Sequence, residues 1–329
     1  MKTSQKILDY IGKNGQASGK ELADYLGDIT LRAVRKKLKN LLETGELRKI
    51  GRPPKVFYLP VHHKERNLMK IEEPVIDDNT RRMIDERYLF ITPDGEMKSG
   101  WAGFVAWSEK TKQDPVKTAR EYIATLGKYD AFVKDGLIDG MEKMRSTFRH
   151  EVFLDRLFYL DFYSIERFGK TKIGQILLHA KNSQDKKLMK MLADEVRPKA
   201  AMLVDKYSID GVLFIPPTIK REVQFMNELK KNLKLPTRTL SVAKVKTQIA
   251  VAQKTLSRLE DRVENARKTI VVEDSGTYEN ILLIDDAIGS GSTLNETAAQ
   301  IKKRGLCKGK IIGLAIAGSF KGFDVISEV

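Results

Sequence analysis

The stretch that most constrains this chain is residues 281–294, reading Ile-Leu-Leu-Ile-Asp-Asp-Ala-Ile-Gly-Ser-Gly-Ser-Thr-Leu. Four apolar residues, Ile281, Leu282, Leu283 and Ile284, are too few for a helix and meet turn chemistry at once. They read as a strand buried on both faces. Asp285 and Asp286 stand where that strand ends. A loop of small residues then runs into a helix starting near Thr293. In open α/β sheets, ligands bind at the carboxyl ends of the strands. A small-residue loop entering a helix N-terminus gathers backbone N–H groups and the positive end of the dipole at one place, which suits a phosphate. The carboxylates would repel that phosphate; their chemistry is to accept hydrogen bonds from neighbouring hydroxyls. A sugar phosphate satisfies both halves. The alternative is a buried strand, an Asp-rich turn and a capped helix with no ligand. A nucleotide P-loop is a poor rival, because no Lys follows Gly291.

These residues resemble the phosphoribosyl-pyrophosphate motif of type I phosphoribosyltransferases: a hydrophobic strand, two acidic residues, and a loop reading roughly Thr-Thr/Ser-Gly-x-Thr. The resemblance implies that Asp285 and Asp286 form the catalytic pair and hold the ribose 2′- and 3′-hydroxyls. It implies that Ala287, Ile288, Gly289, Ser290, Gly291, Ser292 and Thr293 wrap the 5′-phosphate. Magnesium is then expected on the pyrophosphate, with no direct protein ligand. Ser290, Gly291 and Thr293 match the family pattern. Gly289 stands where Thr is common, which removes one hydroxyl contact.

At 329 residues the chain has room for two or three cores. A hydrophobic content of 41% fits a globular protein. No apolar run approaches the length of a membrane span, and the N-terminus lacks a signal-peptide core, so a cytoplasmic protein without a membrane partner is expected. One cysteine, Cys307, excludes a disulfide framework and a cysteine-ligated structural zinc within one chain. The net charge of +15 favours a polyanionic partner. Residues 1–60 carry 13 Lys and Arg against 6 Asp and Glu, so nearly half of the excess is concentrated there.

Within residues 1–60, apolar Ile7, Leu8 and Ile11 share a helical face. Ser18 with Glu21 forms a capping box before a short second helix that Gly27 ends. Leu31, Val34, Leu38, Leu41 and Leu42 give a third helix. Two strand-like runs around a Gly51-Arg52-Pro53-Pro54-Lys55 tip make a hairpin. Three helices and a basic hairpin resemble a winged helix-turn-helix. The third helix would enter the major groove of double-stranded DNA, with Thr30, Arg32, Arg35, Lys36 and Lys39 facing out. Arg52 and Lys55 at the wing tip would reach phosphates or the minor groove. The alternative is the same fold used for protein contact.

Residues 61–150 read as a linker followed by a small α/β connector without an assigned role. His62 and His63 are paired, but no third metal ligand stands nearby. Residues 88–92 and 101–107 are strand-like around a Pro93-Asp94-Gly95 turn, and Asp114-Pro115 starts a helix running to Leu126. Trp101, Phe104 and Trp107 are assigned to core packing in preference to base stacking. Further on, Phe158, Tyr159, Phe162 and Tyr163 have the spacing of a helical face, either core or the seam of a homodimer.

Residues 209–215 are a second buried-strand candidate, ending in Pro216-Pro217-Thr218-Ile219-Lys220-Arg221, with a helix over 222–233. The resemblance implies that this loop contacts pyrophosphate through Pro217, Lys220 and Arg221. The run Gln253, Leu256, Ser257, Arg258, Glu260, Arg262 and Asn265 resembles the ComF-like branch of the superfamily. It implies that Lys254, Arg258 and Arg262 contact pyrophosphate as well; the alternative is a basic amphipathic surface helix. The branch's zinc ribbon is absent, and its signature after the Pro loop survives only as Phe225.

The expected architecture is therefore α/β. A winged helix-turn-helix (1–60) and a linker with connector (61–150) precede a type I phosphoribosyltransferase fold, a parallel sheet flanked by helices (151–329). The expected ligand is phosphoribosyl pyrophosphate or a nucleotide. The expected function is ligand-controlled DNA binding, as in transcription regulation, with transferase activity at the same site open. The alternative is an active phosphoribosyltransferase acting on a base, nucleotide or nucleic acid, as in a defence effector, since similar fusions occur beside retron elements.

Overall fold

The computed structural model describes residues 2–61, 74–148, 151–219, 221–245, 251 and 255–319, the side chain of Arg52 excepted. His62, His63, Lys220, Gln253 and Lys254 lie outside the described residues. The chain divides into two compact units, Met1–Glu73 and Pro74–Val329.

The first unit contains α1 (Thr3–Asn14), β1 (Ala17–Ser18), α2 (Gly19–Leu26), α3 (Leu31–Glu43), β2 (Leu47–Arg52) and β3 (Lys55–Pro60). The capping box forms: Glu21 N–H donates to Ser18 Oγ at 3.2 Å and Ser18 N–H to Glu21 Oε2 at 2.6 Å. Thr30 caps α3 by accepting from Ala33 N–H. Val34, Leu38 and Leu41, at helix spacing, bury against Ile7, Ile11, Leu22 and Leu47. Each such side chain contributes about 1.5–3 kcal/mol. β2 and β3 pair antiparallel from Leu47↔Pro60 to Arg52↔Lys55, and β1 adds to β3.

The second unit begins with α4 (Asp78–Arg87), β4 (Leu89–Ile91), β5 (Met97–Ser99), α5 (Gly100–Lys110), α6 (Pro115–Asp130), β6 (Val133–Lys134), β7 (Leu137–Asp139) and α7 (Met141–Phe148). It continues through β8 (Arg156–Phe162), β9 (Ser164–Ile165), β10 (Gly169–Lys170), α8 (Lys172–Ser183), α9 (Lys186–Lys206), β11 (Gly211–Phe214) and α10 (Phe225–Leu233). It closes with β12 (Arg238–Thr239), β13 (Val242–Lys244), α11 (Leu259–Thr269), β14 (Ile270–Val272), β15 (Ile281–Ile288), α12 (Ser292–Lys303) and β16 (Ile311–Gly318).

Seven strands form one sheet in the order β12-β11-β15-β16-β8-β7-β6. The five strands from β12 to β8 are parallel, and the β6–β7 hairpin joins antiparallel beside β8. Along β15, Ile281 and Leu283 face one core while Leu282 and Ile284 face the other. The period of two explains why the strand reads as an unbroken apolar run. Residues of α4–α7 and α12 pack on the first face, and residues of α8, α9 and α10 on the second. Residues 61–150, expected as a connector, thus supply two sheet strands and much of one core face.

Two sequence-based assignments are corrected. Residues 101–107 are helix, not strand: they lie in α5, and the strand of this hairpin is the shorter β5. Trp101, Phe104 and Ser108 are buried at helix spacing, a period the aromatic content masks. Conversely, the aromatic face at 158–163 is not helical, because Phe158, Tyr159 and Phe162 belong to β8. Tyr159, Phe162 and Tyr163 are buried within the unit, so they form no outer seam for a homodimer. A β-strand buried on both faces and a helical face both place aromatics at adjacent positions, and spacing alone does not separate them.

Among the described residues, no helix is long and apolar enough to cross a membrane.

Candidate functional site

The chain order of the sheet reverses between β11 and β15. From β11 the chain moves outward to β12; from β15 it moves the opposite way to β16. A crevice opens at the carboxyl ends of strands on either side of such a reversal. A cleft lies there. From the loop after β11 it is lined by Pro216, Pro217, Thr218, Ile219 and Arg221, and from the end of β15 by Asp285, Asp286, Ala287 and Gly289. Phe225 and Met226 of α10, Thr293 of α12, Lys181 of α8, Lys244 of β13 and Arg262 of α11 complete it.

The acidic pair sits at the rim of the buried strand. Ile281–Ile284 are fully buried, whereas Asp285, Asp286 and Ala287 are half-buried and open to the cleft. Asp286 N–H donates to Asp285 Oδ1 at 2.8 Å. Burial pushes the Asp285 carboxyl well above the usual carboxylate range, and the neighbouring Asp286 charge adds to that push. The Asp286 N–H, Lys181 and Lys244 work against it. Lys181 Nζ donates to Asp286 Oδ2 at 2.6 Å, and both side chains are largely shielded from solvent. Lys244 Nζ donates to Thr218 Oγ1 at 2.6 Å. Burial lowers the Lys244 pKa, while the charges of Asp285 and Asp286 hold it up.

The loop beyond the pair leads into α12, whose first residue is Ser292. Gly291 is its N-cap at φ 81 and has no side chain with which to cap the first turn, so the capping of its leading N–H groups falls to other residues. Ser290 Oγ lies 2.8 Å from Ser292 Oγ and accepts from Ser292 N–H at 3.3 Å. The left-handed backbone at Gly291 favours glycine there, and a Cβ would also displace the Met144 thioether of α7. Farther along α12, Glu296 is ion-paired with Arg267 of α11 at 3.1 Å, and Gln300 Nε2 donates to Ile270 O of β14 at 2.7 Å. The helix behind the small-residue loop thus anchors the arm that brings Arg262 to the cleft. Arg262 itself donates from Nε to Leu256 O at 2.7 Å.

Of the residues read from sequence, Asp285, Asp286, Ala287, Gly289, Thr293, Pro217, Arg221 and Arg262 meet at this cleft. Ile288 packs in the core, and Ser290, Gly291 and Ser292 are buried and not among the residues lining the cleft. Arg258 is exposed at the start of α11 and is not among the residues that line the cleft. Lys220 and Lys254 lie outside the described residues. Lys181 and Lys244 were missed. No local pattern marks them, because each reaches the site from an element remote in sequence.

In the first unit, Thr30, Arg32, Arg35, Lys36 and Lys39 are exposed along α3, with Lys39 in a loose surface pair with Glu43 at 3.7 Å. Lys55 is exposed at the hairpin tip, and the Arg52 side chain lies outside the described part. Among the described residues no cluster of three His, Cys, Asp or Glu gathers as a metal site.

No family model matches this chain. No curated protein matches it either. Among solved structures the chain is similar to a hypoxanthine phosphoribosyltransferase from Staphylococcus aureus. The two share 15% identity at a TM-score of 0.23, over 40% of this chain and 74% of that one. A likeness at that TM-score carries no argument for the cleft, which stands on its own geometry.

Proposed function

We propose that the cleft binds a phosphoribosyl ligand, phosphoribosyl pyrophosphate or a nucleotide, and that the second unit is a phosphoribosyltransferase-type domain. The observation that carries this reading is the adjacency of two features at one strand end. Asp285 and Asp286 offer carboxylate oxygens suited to vicinal ribose hydroxyls. The next residues lead into the N-terminus of α12, where Gly291 at the N-cap offers no side-chain acceptor and Ser290 Oγ takes only the Ser292 N–H, an arrangement suited to a 5′-phosphate. Four cationic side chains among the described lining residues, Lys181, Lys244, Arg221 and Arg262, face two carboxylates. That balance favours a ligand carrying several negative charges.

The first unit is read as a winged helix that binds double-stranded DNA through α3 and the hairpin tip. The support is its three helices, its antiparallel hairpin and its exposed basic side chains. A DNA-binding unit and a metabolite cleft in one chain make ligand-controlled DNA binding the preferred function. Transferase turnover is the second reading, favoured by the cations at the cleft. Attack of an acceptor nucleophile on ribose C1 would form the new glycosidic bond as the C1–O bond to pyrophosphate breaks, and the charge of the departing pyrophosphate would be countered by Lys244, Arg221 and Arg262 of the lining. Magnesium carried on the pyrophosphate would supply the remaining charge compensation, and no described residue is assigned to hold it. Catalysis of that kind rests on positioning and electrostatics.

The test is calorimetry with phosphoribosyl pyrophosphate and magnesium, beside a pyrophosphate-release assay with and without duplex DNA. The variant carrying Asp285→Asn and Asp286→Asn is expected to lose binding. Undiminished affinity in it would remove the site assignment. Binding without release, together with altered DNA affinity, identifies a sensor; DNA- or base-stimulated release identifies an enzyme.

A further inference from the structure

We propose that Lys181 is a positioning residue of this cleft: from the last turn of α8 it fixes Asp286 through one carboxylate oxygen and keeps the acidic pair in the form that accepts hydrogen bonds from ribose hydroxyls. The inference rests on the phosphoribosyl reading above and deepens it.

A lysine in the last turn of a helix ordinarily extends into water, where it complements the C-terminal end of its own helix dipole. Lys181 does otherwise. Its side chain is only 13% exposed, and its ammonium meets Asp286 Oδ2 at 2.6 Å, on a strand 105 residues later in the chain. Long flexible side chains give up considerable rotamer freedom when held in this way. The backbone is arranged to bring it there. Thr171 caps α8, accepting from Gly174 N–H at 3.1 Å and donating to Phe162 O at 2.8 Å at the end of β8. Gly174 lets the helix lie directly on the chain below, since a Cβ there would run into Tyr163 O. Ile176, Leu177 and Ala180 bury the underside of the helix. The last turn of α8 therefore ends over the carboxyl end of β15.

The charges around the acidic pair come from every neighbouring element. Lys181 is on α8, Lys244 on β13, Arg262 on α11, and Arg221 on the segment before α10, where it reaches Asn182 Oδ1 at 3.5 Å. Of these, only Lys181 makes a direct ion pair with the doublet among the described contacts. Two adjacent carboxylates in a partly desolvated site resist double ionisation, and a cation in direct contact relieves that resistance. Asp286 Oδ2 is committed to Lys181, so Oδ1 is the oxygen left to accept from a ligand. Without the ammonium, Asp286 is free to rotate, and Asp285 retains its proton to higher pH. A protonated carboxyl offers a donor where the ligand also presents a donor.

The experiment compares wild type, Lys181→Met and Lys181→Arg. The affinity for phosphoribosyl pyrophosphate with magnesium is measured by calorimetry from pH 5.5 to 9. In parallel, the ligand-free proteins are titrated by NMR of side-chain-labelled aspartate, with Asp285→Asn and Asp286→Asn giving the assignments. In Lys181→Met, the pH midpoint of binding and the Asp285 titration should both move up by about one unit, given a neighbouring-charge effect of 1–3 units. Affinity should recover to within about threefold of wild type at pH 9, a ratio equal to less than one decade of binding constant. Lys181→Arg should restore the wild-type profile. Weakening by one constant factor at every pH, or an unmoved aspartate titration, overturns the proposal. If wild type fails to bind the ligand, the phosphoribosyl reading fails, and the ligand-free titration alone decides whether Lys181 governs the acidic pair.

Discussion

Asp285 and Asp286 are consecutive residues of one strand, so their side chains leave on opposite faces of the sheet. Both nevertheless line one cleft, from the second half of β15, which runs on to Ile288 beyond the four apolar residues that the sequence marks as strand. The pair was legible because the whole pattern is local: strand, acids, loop and helix start within one short run. Lys181 and Lys244 were not legible, since nothing distinguishes them from the other lysines until the fold closes. Asp161, near the end of β8, provides a separate residue-scale test. Burial raises its pKa to about 6, against the pull of the Thr171 hydroxyl and the Phe162 N–H. The folded state therefore keeps a proton that the unfolded chain has already released between pH 4 and pH 6, and stability falls as pH rises through that window. Asp161→Asn should then raise stability by about 1–2 kcal/mol at pH 7.5, with the gain gone at pH 4. Urea midpoints at the two pH values check the sign.

Helix α8 and the strand beneath it show what periodicity can and cannot deliver. The apolar positions of α3, α10 and α12 have the helix period, and those elements form where the sequence places them within a few residues. At 101–107 and 158–163 the aromatic residues fit two periods, and tertiary packing decides between them. At Gly100, φ is +62 and a Cβ would lie 2.9 Å from Asp85 Cα, so the turn that starts α5 depends on glycine. That requirement is invisible in a sequence read only for hydrophobicity. For α8 the equivalent residue is Gly174. Gly174→Ala should cost about 1–3 kcal/mol through overpacking and lower the melting temperature by several degrees. It should also weaken ligand binding, because lifting α8 carries Lys181 away from Asp286. Differential scanning calorimetry and ligand calorimetry on one preparation separate the two effects.

At the scale of the molecule, charge and topology divide the labour. The basic excess of residues 1–60 was legible as composition, and the exposed row along α3 gives it a face. Duplex-DNA affinity should fall steeply with added salt, and Arg35→Ala with Lys36→Ala should reduce the logarithmic salt slope by about 2. Fluorescence anisotropy over a salt series tests this; an unchanged slope would place the DNA contact elsewhere. The sheet order was beyond reach of the sequence, since β8 comes first among the parallel strands yet pairs with β16, which follows all the others. Asp155 Oδ2, just before β8, accepts from Ile311 N–H at a separation of 156 residues. A ribosome delivers β8 long before its neighbour, and the nascent chain must hold an apolar strand with one edge unpaired until β16 emerges. Closure at such separation is slow and open to aggregation, so this unit completes its sheet only after β16 has emerged, and chaperone dependence should track the interval between the two strands.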